Sequence, residues 1–254
     1  MTRGNSRKVG LARALSKLGY CSRSRAAELI REGRVTLNGV TRRDPETPTR
    51  LERDHIAVDG LEIKPTKAVY LMMNKPRGLV TTASDEKGRD TIYSLLADKA
   101  SWSWLAPVGR LDKASEGLLL LTNDSEWGGH ITAPETHLPK TYHVQINSIA
   151  NDDVLKAIEH GVESQGDILR ARRCSLLRSS EKNCWLEITL DEGKNRHIRR
   201  MLASLKLDVL RLVRVSIGPL QLGALGKGEY RALTSEEKTH LDRAMGLCQT
   251  RAGR

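Results

Sequence analysis

The chain has 254 residues, 39% of them hydrophobic and 29% charged, which is the composition of a folded globular protein rather than a disordered one. No apolar run approaches the roughly 20 residues of a membrane span. The basic opening MTRGNSRKVG also lacks the apolar segment of a secretory signal, so a cytoplasmic protein with no membrane partner is expected. Lys and Arg number 42 against 31 Asp and Glu, a net charge of +11, and a surplus of that size points to a polyanionic partner.

The surplus is uneven. Residues 1–67 hold 15 Lys/Arg against 8 Asp/Glu, so a small basic module precedes a nearly balanced body. Leu11, Leu15 and Leu18 recur at helical spacing, with Gly19 as the stop. Ser22 then caps a second predicted helix, whose face Ala26, Leu29 and Ile30 share while Arg23, Arg25 and Arg31 project elsewhere. Arg34-Val35-Thr36-Leu37 alternates like a strand and runs into Asn38-Gly39, a hairpin signal that His55–Val58 repeats with Asp59-Gly60. A proline-containing connector at 64–67 would let this αβ module, 1–63, swing relative to a body at 68–247, with 248–254 as a loose tail.

The body opens with Val69–Met73, apolar on both faces and so a central strand. Asn74–Gly78 is read as the turn that follows. Gly117–Thr122 reads as a second buried strand, Lys140–Ile146 as an alternating one, Asp152–His160 as a helix and Cys184–Leu190 as another strand. Asn195–Leu205 patterns as a basic amphipathic helix with Ile198, Met201, Leu202 and Leu205 on its apolar stripe. No regular βαβ period connects these pieces, so the fold class is α+β with a mixed, mostly antiparallel sheet.

Several chemistries lose support on inspection. The four cysteines (Cys21, Cys174, Cys184, Cys248) form no CxxC pair, and His130, His137 and His143 match no metal-binding element, so no metal is expected. Gly223–Gly228 lacks the spacing of a phosphate loop, and no GxGxxG follows a strand, so no nucleotide cofactor is expected either. Three places remain. In Val108–Gly117, polar residues crowd a loop just before four consecutive leucines, with Asp112 flanked by Arg110 and Lys113. In Lys140-Thr141-Tyr142, an aromatic with a polar handle sits on a strand, where it can stack on a base or simply pack in the core. In Glu192–Leu202, Arg196, Arg199 and Arg200 crowd one end of a helix, forming either a phosphate-binding face or a solvated one.

The order GRLD…SEGLLLLTND, then KTY, then EGKNRHIRRM resembles the bacterial ribosomal-RNA pseudouridine synthases. Cys21–Gly39 is similar to the signature of the ribosomal protein S-four type RNA-binding domain that precedes the catalytic domain in one branch of them. Leu71–Gly78 and Gly228–Thr234 resemble that catalytic domain's opening and ending. The resemblance implies that Asp112 is the catalytic aspartate and that Tyr142 packs against the target base. It makes Arg199, directly after Ile198, the cation that pairs with Asp112 in the pocket. Arg110, Arg196 and Arg200 of the body and Arg23, Arg25, Arg31 and Arg34 of the module are then expected to contact RNA, with no cofactor or metal. Ribosomal RNA or an assembling ribosomal particle is the implied partner of a monomer. Asn123–Trp127, His130–Thr132 and the closing segment lean toward the small-subunit type. The rival reading is a non-catalytic ribosome assembly factor that only binds ribosomal RNA.

Overall fold

The computed structural model describes residues 8–82, 88–96 and 104–247; the expected tail at 248–254, with Cys248, lies outside them. The chain divides into two compact units. One takes the N-terminal residues through Tyr70 and adds Leu121–Gly128; the other includes the chain from Leu71, Pro107–Leu120 and everything from Gly129 onward.

In the first unit, helix α1 (Leu11–Lys17) stops where Gly19 adopts a φ of +73°. Helix α2 (Arg23–Arg31) starts at Ser22, whose Oγ accepts the Arg25 amide at 3.2 Å and so satisfies one of the orphan donors of the first turn. Ala26, Leu29 and Ile30 are buried against Leu11, Ala14 and Leu15, as their spacing predicts. Strand β1 (Val35–Leu37) turns through Asn38 and Gly39, at φ +52° and +77°, into β2 (Val40–Arg42). Two successive positive φ values define the turn whose twist matches that of paired strands. Asp59 and Gly60 repeat the device between β3 (Ile56–Val58) and β4 (Leu61–Glu62), giving a sheet ordered β2-β1-β3-β4. Val35, Leu37, Ile56 and Val58 close the small core beneath the helices.

The connector is bonded on both sides. Thr66 donates to the Leu18 carbonyl through its amide at 3.0 Å and its hydroxyl at 3.1 Å. The buried Asn123 side chain accepts from the Val69 amide at 2.8 Å and donates to the Lys67 carbonyl at 2.9 Å. These bonds are why Leu121–Gly128 groups with the N-terminal residues.

The main sheet uses β5 (Tyr70–Lys75), β6 (Glu116–Thr122), β7 (Lys140–Ile146), β8 (Arg173–Ser179), β9 (Cys184–Leu190), β10 (Val209–Ile217) and β11 (Tyr230–Ala232) in the order β8-β9-β7-β10-β6-β5-β11. The pairs β8–β9, β9–β7, β7–β10 and β5–β11 are antiparallel, while β6 and β10 run parallel, so the sheet is mixed as expected. The helix at Asp152–His160 and the one at His197–Ser204 bury Ile158, Ile198, Met201 and Leu202 against Val144, Leu186, Ile188 and Leu212. Two expected boundaries move by two residues. Asn74 and Lys75 still belong to β5, so the turn begins at Pro76. The basic helix begins at His197, because Arg196 takes a φ of +49° and cannot continue a right-handed helix. No helix among the described residues is long and apolar enough to cross a membrane.

Gly117 fixes the parallel pairing. It has a φ of +103°, and a Cβ there would collide with the Arg214 carbonyl oxygen. Gly117→Ala is therefore expected to lower stability by about 3 kcal/mol or more through backbone strain and overpacking. Chemical denaturation read by circular dichroism checks this; a loss below about 1 kcal/mol would show that the strands can part without cost.

Candidate active site

Asp112 lies in the loop that precedes β6, and that loop is held from below. Lys75 ends β5 with its side chain fully buried. Its Nζ donates to the carbonyl oxygens of Ser115 at 2.9 Å, Pro76 at 3.1 Å and Asp112 at 3.2 Å. Three carbonyls around one ammonium use all of its donors. The Thr81 hydroxyl donates to the Leu111 carbonyl at 2.7 Å, and the Gly78 amide donates to the Lys113 carbonyl at 2.8 Å. Burial pulls the Lys75 pKa down to about 8, against the opposing pull of Asp112 and Glu116.

The Asp112 carboxylate is left half-exposed on the wall of a cavity of about 480 Å³. The cavity is lined by the 108–112 loop, Ile131–Pro134, Lys140, Tyr142, the 190–199 segment and residues of β10. Tyr142 reaches it from β7, where it lies across from Ile188 on one side and Arg214 on the other. Asp112, Tyr142, Arg110, Arg196 and Arg199 thus share one cavity, although Asp112 and Arg199 are 87 residues apart in sequence.

The cation nearest the carboxylate is not the expected one. Among the described residues, Arg196 makes the ion pair with Asp112, at 3.7 Å. Arg199 instead donates to the Ala114 carbonyl at 3.0 Å, bracing the same loop from the other side. Burial and the neighbouring Arg196 and Arg77 push the Arg199 pKa below the ordinary arginine value, with Asp112 opposing them. The αL turn at Arg196 explains the exchange: it lifts that guanidinium off the helix and over the carboxylate.

The other arginines divide. Arg110 is exposed at the cavity rim. Arg200 faces away from the cavity, where its Nη2 donates to the Ser164 carbonyl at 2.6 Å and to Asp167 at 2.9 Å. The structure therefore gives Arg200 a task within the fold, pinning the hairpin of Val162–Ser164 and Asp167–Leu169, rather than the open position expected of a phosphate contact. In the basic module, Arg23 and Arg31 are exposed and Arg25 pairs with Glu28 at 3.0 Å. Arg34 makes two bonds to Asp59, at 2.9 and 2.5 Å, and is held against the turn between β3 and β4.

Sequence reading missed three residues of the site: Lys75, Lys140 and Arg214. Lys75 carried one signal, a lysine at the end of an otherwise apolar strand. Lys140 is half-buried in the cavity wall, its pKa lowered by burial and by Arg214. Among the described residues, no group of three or more His, Cys, Asp or Glu side chains is placed to hold a metal.

Comparison with known proteins agrees with this geometry. The family described as RNA pseudouridylate synthase matches residues 69–204, and the S4 domain matches residues 9–56. The chain is 36% identical over 241 residues to an uncharacterized RNA pseudouridine synthase of Aquifex aeolicus, covering 94% of this chain and 96% of that protein. It is 33% identical to ribosomal large subunit pseudouridine synthase B of Bacillus subtilis, covering 91% and 94% of the two chains. A crystal structure of a pseudouridylate synthase superposes with a TM-score of 0.65 at 30% identity, covering 92% of this chain and 99% of that one. The chain therefore belongs to the RNA pseudouridylate synthase family and carries an S4 domain ahead of its catalytic domain.

Proposed function

We propose that the chain converts a specific uridine of ribosomal RNA to pseudouridine, acting as a monomer in the cytoplasm, with Asp112 as the catalytic carboxylate. The observation that carries this reading is the meeting of the Asp112 carboxylate, the Tyr142 ring and several cations in one cavity. The name of the Bacillus subtilis relative supports ribosomal RNA as the substrate.

The reaction breaks the N1–C1′ bond, turns the uracil and joins C5 to C1′; the C5 proton is lost and N1 gains one, so the mass of the RNA is unchanged. The uridine must first leave its stack, at a cost of a few kcal/mol. Inside the cavity, Asp112 either attacks C1′ or removes the 2′ proton. Both routes use the carboxylate at the sugar, where Arg196 stands 3.7 Å from it and the buried Lys75 holds its backbone carbonyl. The Tyr142 ring supplies a surface on which the detached uracil is held while it turns. Exposed Arg23, Arg25 and Arg31 in the module and Arg110 at the rim meet phosphates, adding salt-dependent affinity without reading sequence. The reaction is redox-neutral and needs no energy source.

The test is pseudouridine mapping on unmodified 16S and 23S ribosomal RNA, free and in particles. The wild type is expected to produce one new pseudouridine. Asp112→Ala is expected to lose about a thousandfold or more in rate while its RNA affinity stays within about threefold. Tight binding without any conversion would favour the assembly-factor reading.

A pH profile tests the part given to Lys75. Between about pH 8 and its ordinary value of 10.5, Lys75 is deprotonated in the folded protein but still protonated in the unfolded chain. The unfolded state then binds the extra proton, so this group adds stability as pH rises through that window. Asp112 meanwhile loses its buried cation. The expected result is a kcat/KM that falls with a midpoint near pH 8 while the melting temperature does not fall with it, and the same limb in Lys140→Gln. A flat profile through pH 9.5 would remove Lys75 from the electrostatics of the site.

A further inference from the structure

We infer that Arg214 reads the target base, its free guanidinium end donating a hydrogen bond to a carbonyl oxygen of the flipped uracil. The inference rests on the pseudouridine synthase reading above.

Arg214 sits in the middle of β10 and is 5% exposed, yet it lines the cavity. Its Nε donates to the Leu118 carbonyl at 2.7 Å, which fixes the plane of the guanidinium. The two terminal nitrogens have no acceptor among the described residues, and Nη2 is completely buried. A charged donor shut away without a partner is costly, and a purely structural arginine would be expected to satisfy it. The missing acceptor is therefore sought in what fills the cavity. Its position selects the acceptor: Arg214 lies directly across from Tyr142 in the sheet, beside the ring that would hold the base, whereas phosphates reach the exposed rim at Arg110.

Uracil suits such a donor. The turn that exchanges N1 for C5 runs about the axis through C6 and N3, and it carries O2 and O4 into one another's places. A rigid donor that meets one carbonyl before the turn meets the other after it. When the N1–C1′ bond breaks, its electron pair passes into the uracil ring and the carbonyl oxygens share the negative charge. A preorganised cation at that point stabilises the detached base. Cytosine places an amino group at one of these positions and would set donor against donor, so the same contact discriminates uridine from cytidine.

The test uses the full-length protein and RNAs carrying 2-thiouridine or 4-thiouridine at the target, since sulfur accepts hydrogen bonds poorly. With wild type, at least one substitution is expected to lower kcat/KM about tenfold or more. In Arg214→Gln, which keeps a donor for the Leu118 carbonyl, and in Arg214→Met, that penalty is expected to shrink to about twofold or less. A role in packing alone would slow thio and normal RNA equally and leave their ratio unchanged, which overturns the inference. So does a wild type indifferent to both substitutions. Should neither variant fold, a structure of the wild type with RNA bearing 5-fluorouridine decides. A terminal nitrogen within about 3.2 Å of O2 or O4 upholds the inference, and one bonded to phosphate or to nothing overturns it. Failure of the wild type to convert normal uridine would instead sink the synthase reading itself.

Discussion

One buried ammonium organises the loop that carries Asp112. Lys75 is enclosed at the end of an apolar strand, and its three carbonyl partners come from Pro76, Asp112 and Ser115. An ion so placed is tolerated only because each of its donors is satisfied. The arrangement works in both directions: the carbonyls solvate the lysine, and the lysine dictates the path of the backbone that carries Asp112. The Ala114 carbonyl is taken by Arg199 and the Leu111 carbonyl by Thr81. The Asp112 carboxylate is thus presented by a loop whose backbone is fixed on several sides, which is how a site on a loop acquires the precision of one on a strand.

Around this loop the site sets several cations against few anions. Arg110, Lys140, Lys194, Arg196, Arg199 and Arg214 line the same cavity as Asp112, Asp191 and Glu192. That imbalance fits a polyanion that enters with its own negative charge. The division of labour between the two helix arginines follows from one backbone angle. Arg196, in the left-handed region, is free to cover Asp112, while Arg199, on the helix proper, supports the loop beneath it.

Much of the fold was legible because local chemistry demands it. Asn38-Gly39 and Asp59-Gly60 announce their turns since both central residues need positive φ, and Ser22 announces α2 because the helix start needs an acceptor. The polar loop around Asp112 stood out against the leucines that follow it. What escaped reading depends on distant partners. Arginine is counted as a surface residue, so the alternation of Val209–Ile217, broken by Arg211 and Arg214, concealed the strand next to which Tyr142 sits. Lys75 looked like the first charged residue of a turn, because nothing local reveals three carbonyls waiting around it. Arg196 looked helical because its neighbours are, and Arg200 looked like part of the same basic face until the 162–169 hairpin was seen to occupy it.

An RNA pseudouridine synthase exchanges the N1 link of a uridine for a C5 link. Forming the C5–C1′ bond expels the hydrogen on C5, so ribosomal RNA made with tritium at C5 of uridine gives the most direct measurement. Tritium release into water is expected to saturate near one per RNA and to equal the pseudouridine found by digestion, with the chain length unchanged. RNA bound tightly with no tritium released, free or in particles, would contradict it.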